Sequence, residues 1–241
     1  MTGYRCRTLA LAVVLSMVGL MAGCASSPDS MGDPFEPINR GFHAINDGLD
    51  DIIVRPVAEA YVEYMPDGMR DGVSNFFDNA TYPNVILNDF LQGKFKQGLT
   101  DIGRFLVNST VGVGGLFDIA SGMGWIEHDE DLGQTLGYYG FGAVAYLELP
   151  LIGPSSVRDV PDVPVSRYTN LLFYIGESSI TFPLGILSAI DSRSQLLGAT
   201  RLRDESALDT YIFTREALRQ RRIHLIYDGD PPLEEFDDTE Y

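Results

Sequence analysis

Side chains that could do catalysis are sparse in this chain and poorly placed for it. The three histidines, His43, His128 and His224, stand far apart, and none sits in a His-Glu-x-x-His or His-x-Glu frame. Glu127-His128-Asp129-Glu130-Asp131 has metal-ligand residue types, but neighbouring acids of this kind read as a solvated loop. Gly112-Val113-Gly114-Gly115 superficially suggests a phosphate cradle; no strand precedes it and no Lys-Ser/Thr pair follows, so no nucleotide site is expected. Gly153-Pro154-Ser155-Ser156 lacks the Gly-x-Ser-x-Gly elbow, and no histidine base can be assigned to a serine there. Both cysteines, Cys6 and Cys24, lie before residue 25, leaving the body without a disulfide or a thiolate metal site. The expectation is a protein that is not an enzyme and carries no cofactor or metal.

Cys24 is the exception, because its setting gives its thiol a task. Arg5 and Arg7 form a positive start, residues 9–20 (LALAVVLSMVGL) are an apolar run of signal-peptide length, too short to span a bilayer comfortably, and Leu20-Met21-Ala22-Gly23-Cys24 follows. This resembles a bacterial lipobox, in which the cysteine sulfur forms a thioether to a diacylglyceryl group before cleavage; Met21 stands where Leu, Val or Ile is usual. Ala25, not aspartate, follows, which resembles the pattern for release to the outer membrane. Residues 1–23 are thus read as a lipoprotein signal peptide and 24–32 as a lipidated, small and polar tether. Several acyl chains make a durable anchor, each buried CH2 adding about 0.8 kcal/mol.

With 45% apolar residues in 241, the chain can bury a sizeable core. Seventeen bases against 34 acids give −17; losing Arg5 and Arg7 leaves 15 bases against 34 acids, or −19. Nucleic acid is therefore not an expected partner, because phosphate binding needs a basic face.

Helical spacing dominates the body. Phe35, Ile38, Phe42, Ile45 and Leu49 fall on one helix face. Arg55-Pro56 and Pro66-Asp67 then read as breaks, giving three short helices, with two more over residues 83–91 and 95–107. Residues 93–142 hold 12 of the 25 glycines, which predicts close approaches or positive φ rather than a long regular helix. Residues 171–190 are the most apolar part of the mature chain, yet Gly176, Glu177 and Pro183 argue against one straight membrane-crossing helix. Buried core or a broken, partly membrane-embedded hairpin fits them better. A helix is expected over residues 204–227, with Leu208, Tyr211, Ile212, Leu218 and Leu225 as its apolar face and Gly229 at its end. Residues 230–241 read as an acidic, disordered tail. No run of well-alternating strands is evident, so the class is mainly α.

Several motifs occur together in order: Asp33-Pro34-Phe35-Glu36 with Asn39-Arg40, Arg55-Pro56-Val57-Ala58, Asn75-Phe76-Phe77-Asp78-Asn79 and Leu91-Gln92-Gly93. Arg104-Phe105 with Asn108-Ser109-Thr110 follows, then Gly133-Gln134-Thr135-Leu136-Gly137, Pro150-Leu151-Ile152-Gly153-Pro154-Ser155 and Arg158-Asp159. As a set they resemble the MlaA (VacJ) lipoprotein family over nearly all of the domain placed at residues 33–229. The resemblance implies a ring-like bundle of amphipathic helices embedded in the outer membrane around a central channel. It implies removal of mislocalised phospholipids from the outer leaflet, passage through that channel to the soluble periplasmic carrier MlaC, and trimeric porins that hold the ring. The location it implies is the outer membrane, lipid-anchored, partly embedded and facing the periplasm.

Within that frame, Phe35, Phe42, Phe76 and Phe77 either face the outside or pack in the core. Arg55 and Arg104 either meet a lipid phosphate or form buried pairs with acids. A structural lipoprotein that scaffolds an envelope complex and moves nothing is the competing reading. Cys24→Ser should leave the precursor uncleaved and unacylated; intact-mass measurement of the membrane-extracted protein checks this, and a wild-type protein without acyl mass would overturn the lipobox reading.

Overall fold

The computed structural model describes residues 32–232. Cys24, the signal peptide, most of the tether and the tail from residue 233 lie outside the described residues.

The chain opens with α1 (Glu36–Leu49), a π-helical turn (Asp50–Val54) and α2 (Arg55–Tyr64). The break expected at Arg55-Pro56 is not there. The π turn widens the hydrogen-bond ladder, Arg55 N–H reaching back to Asp50 C=O, and Pro56 enters at the start of α2, where a missing N–H matters least. Pro66 does separate two helices: Met65 before it is extended, and α3 (Asp67–Leu91) follows. α3 runs through Pro83 without ending, so the separate helix expected at 83–91 is its second half. Asn79, whose carbonyl that proline leaves free, is tied to the next helix by its Nδ2 donating to Ser109 Oγ at 2.9 Å.

α4 (Phe95–Thr110), the helix expected over 95–107 and three residues longer, lies against α3 and takes up the start of the glycine-rich stretch. Beyond it the stretch is irregular, holding only α5 (Ile119–Gly122) and α6 (Leu132–Tyr138). Its glycines work in both ways expected. Gly115 has φ +92 and sits against the Asn79 side chain, whereas a Cβ on Gly133 would strike Asp159 and Arg222.

A hairpin not evident in the sequence follows: β1 (Tyr146–Leu149) pairs antiparallel with β2 (Gly153–Ser156), Tyr146 opposite Ser156 and Leu149 opposite Gly153. Four residues per strand are too few for alternation to register. Then come α7 (Asp162–Thr169), a 3₁₀ turn (Leu171–Tyr174), α8 (Ser178–Gln195), α9 (Leu197–Ser206) and α10 (Thr210–Ile226). The apolar stretch 171–190 therefore turns at residues 175–177, as its glycine and glutamate suggest, while Pro183 is accommodated inside α8. No helix among the described residues is long and apolar enough to cross a membrane.

The single helix expected over 204–227 is two. Ala207 is extended, and Asp209 caps α10 by accepting from Tyr211 N–H at 3.0 Å and Ile212 N–H at 3.2 Å. Leu208 falls in the gap and is fully exposed, not part of an apolar face. Gly229, at φ +89, returns its N–H to His224 C=O and ends the helix as expected.

Neighbours form a closed circuit: α2 packs on α8, α8 on α3, α3 on α6, α6 on α10, α10 on α9, and α9 on α2. The α6–α10 joint is a charge clamp. Arg222 on α10 grips Asp131, the N-cap of α6, at 2.5 and 2.9 Å and reaches Asp159 at 2.7 Å. Burial pushes the Asp131 carboxyl up, but the hydrogen bonds and charge of Arg222 outweigh it and hold it below the ordinary carboxylate range. The stabilisation is therefore present at neutral pH and is lost as pH falls below about 4. Arg222→Gln should destabilise by about 3 kcal/mol, because Asp131 loses its arginine partner while Asp159 keeps Arg158 and Ser156, and should flatten the acid limb of the stability curve. Denaturation midpoints at pH 3 and pH 7 check both effects.

Candidate functional site

Helices α1 and α4 are oriented opposite to those of a water-soluble protein. On α4, Gly98, Asp101, Arg104 and Asn108 are buried, while Phe95, Leu99 and Leu106 on the other face are more than half exposed. On α1, Asn39 and His43 are buried while Phe35, Ile38 and Ile45 are exposed. The four phenylalanines divide: Phe77 is buried, Phe42 and Phe76 are half-buried and Phe35 is exposed. No residue of 171–190 is buried, so this stretch is not core, and Phe182 at 71% and Ile186 at 46% exposure show its outward face. Exposed apolar surface this extensive marks contact with a non-aqueous medium or a partner.

The interior is a set of hydrogen-bonded networks built from the motif residues. Asn39 Oδ1 accepts from Glu148 N–H while its Nδ2 donates to Tyr146 C=O and Asp33, and Asn46 two turns later does the same with Leu151 N–H and Leu149 C=O. Two amides thus hold the hairpin to α1. Between α3 and α6, Thr135 donates to Asn88 at 2.8 Å, and Gln92 donates to Glu130 at 2.6 Å.

The run 127–131 is a loop, as its composition suggested, but only Glu127 and Asp129 are solvated. Glu130 is 3% exposed and bound by Gln92 and Lys94, His128 Nδ1 meets Asp101 at 2.9 Å, and Asp131 caps α6. Among the described residues no cluster of acids and histidines has metal-ligand geometry.

Arg55 and Arg104 both have acid partners. Arg55 contacts Asp50, Asp51 and Asp204 at 3.0–3.4 Å. Arg104 is 2% exposed; its nitrogens engage Tyr82, Ser121, the Trp125 carbonyl and Asp118. It borders a polar gap of about 20 Å³, room for one water.

A larger opening lies elsewhere. An open-sided cavity of about 380 Å³ is bounded by α3, the end of α7, the 3₁₀ turn and α8. Phe77, Leu172, Phe173 and Leu184 give it apolar wall, and Thr81, Thr181, Ser188 and Asn170 give it polar groups. Arg167 stands at its edge with its guanidinium 4.9 Å from the centre of the Phe173 ring. On the α8 side, a Cβ at Gly185 would meet nothing within 4 Å. Sequence reasoning passed over both residues. The available signal was that Arg167 is the only base between Arg158 and Arg193, directly before the most apolar stretch.

The arrangement can hold an amphipathic molecule, with apolar and polar walls facing one space, and it has no nucleophile–base pair. Comparison with known proteins agrees. The family model for the MlaA lipoprotein matches residues 31–224. The intermembrane phospholipid transport system lipoprotein MlaA of Shigella flexneri is 39% identical over 224 residues, 88% of this chain and 86% of that protein. The protein of that name from Escherichia coli is 38% identical over 223 residues, with the same coverage. A solved structure described as the structural basis for maintenance of bacterial outer membrane lipid asymmetry superimposes with a TM-score of 0.70 at 32% identity, covering 83% of this chain and 100% of that one.

The Asp89–Asp101 pair at the α3–α4 joint carries a pH signature. Both side chains are fully buried; Asp89 Oδ1 accepts from Gln97 at 2.8 Å, while Asp89 Oδ2 has no donor. Burial, then the hydrogen bond and charge of Asp101 and the charge of Glu130, push the Asp89 carboxyl well above the ordinary carboxylate range, so it keeps its proton at neutral pH. A raised acid contributes stability that is full below about pH 4 and is lost as pH rises through the raised value. Asp89→Asn, which keeps the donor without the titration, should remove the loss of stability that wild type shows between pH 5 and pH 9. Parallel thermal curves for the two proteins would contradict the raised Asp89 carboxyl.

Proposed function

The chain belongs to the MlaA lipoprotein family, and from that premise we propose the following function. It is a lipoprotein of phospholipid transport that serves the lipid asymmetry of the outer membrane. In our reading it removes phospholipids mislocalised in the outer leaflet and passes them through an amphipathic channel to the periplasmic carrier MlaC. Trimeric porins hold it in place, and Cys24 anchors it by its acyl chains. It is a conduit rather than an enzyme, with any energy supplied elsewhere.

The observation that carries this reading is the inversion of α1 and α4: apolar stripes outward, amide and charged side chains inward. A lipid crossing between leaflets needs its headgroup kept among polar groups while its chains remain in an apolar setting. An acyl anchor alone would leave the body in water; the outward apolar stripes give it a reason to be embedded. The closed circuit of neighbouring helices supports a ring around such a path.

Two measurements test this. The protein purified in mild detergent should carry phospholipid, and a strain lacking it should accumulate phospholipid in the outer leaflet. Normal asymmetry in that strain would favour the non-transporting scaffold.

A further inference from the structure

We propose that Arg167 recognises the phosphodiester of a glycerophospholipid whose acyl chains enter the cavity beside it, an inference that rests on the lipid-transport reading above. Most cations of the body are already committed. Arg55, Lys94, Arg104, Arg193, Arg203, Arg215 and Arg222 each contact at least one carboxylate. In a chain of charge −17 that pairing leaves little positive charge for an incoming anion. Arg167 makes no ion pair among the described residues, is exposed, and lies on the largest of the cavities described here.

Its environment suits a phosphate held at the edge of an apolar space. The guanidinium lies 4.9 Å from the Phe173 ring centre, and Phe173 is itself edge-on to Tyr168 and Tyr174 at 5.1 and 5.6 Å. A cation–π contact at this distance restrains the guanidinium without using its N–H donors, so less entropy is lost when they bind phosphate oxygens. Ser188 supplies a hydroxyl for an ester oxygen, the Thr81 and Thr181 hydroxyls being donated to backbone carbonyls of Phe77, Asp78 and Glu177, and Phe77, Leu172 and Leu184 supply wall for acyl carbon. The space beside Gly185 leaves the α8 side open to a chain. A volume of about 380 Å³ takes part of a two-chain lipid, with the remainder outside.

The test separates phosphate recognition from acyl binding. Full-length protein in dodecyl maltoside is equilibrated with equimolar dioleoyl phosphatidylethanolamine and dioleoylglycerol, and bound lipid is measured by mass spectrometry. Wild type should prefer the phospholipid about tenfold, the scale of one charge-assisted contact. Arg167→Gln should reduce the preference to near unity, with Arg167→Lys recovering part of it, and millimolar inorganic phosphate should not displace the lipid. Gly185→Leu, which fills the cavity without touching Arg167, should lower binding of both lipids. An unchanged preference in Arg167→Gln overturns the assignment, and so does displacement by inorganic phosphate, which would mark a plain anion site. Full binding in Gly185→Leu overturns the cavity as the location. A wild type that binds neither lipid overturns the transport reading itself.

Discussion

A polar side chain withdrawn from water costs several kcal/mol unless its donors and acceptors find partners, and the side chains this protein withdraws are mainly polar. Asn39, Asn88, Gln92, Asp89, Asp101 and Arg104 lie at the joints between elements, and each is met by a named partner. Partnering of this kind is directional, so the helices are located relative to one another by hydrogen-bond geometry more than by apolar fit. Losing one member leaves its partner buried and unmet, which explains how short motifs spread along the chain serve one interior.

The same constraint accounts for the use of charge. An excess of acids would repel itself across so small a body, yet several acids lie at joints where an arginine crosses from another element. Arg193 joins α8 to Asp50 of the π turn, and Arg203 joins α9 to Asp47 of α1. Arg222 joins α10 to α6 and to the segment after β2. Arg193 and Arg222 match Asp50 and Asp131 with two parallel hydrogen bonds each, which a lysine cannot do, while Arg203 meets Asp47 with one. Glycines at the tightest joint, Gly133 and Gly137, let α10 approach, since a Cβ there would meet Arg222 or Ile226.

With the interior made polar, the apolar stripes of α1 and α4 have no inside to fill. In water they would be a liability, and such a surface suits a non-aqueous medium. The apolar exterior and the mixed walls of the α3–α7–α8 cavity are thus two outcomes of one inversion. A transport protein needs both, because its cargo has a charged end and two apolar tails.

The amino-acid order by itself determined the helical class, the family pattern and the turn in residues 171–190, since each rests on local spacing or local chemistry. Periodicity also marked the stripe of Phe35, Ile38, Phe42 and Ile45 correctly. It did not say which way the stripe faces, because a period of 3.6 is the same whether the apolar side meets a core or a membrane. Tertiary structure decided that. It also decided that Pro56 and Pro83 do not break helices, the first lying just after a π turn and the second in a helix packed against α4, whereas the extended Ala207 and the Asp209 cap break one that looked continuous. Glu130 became an interior acid only because Gln92 and Lys94 arrive from distant segments. The same applies to Arg167: whether an arginine is free or paired depends on which carboxylates the folded chain brings within reach, and no local pattern encodes that.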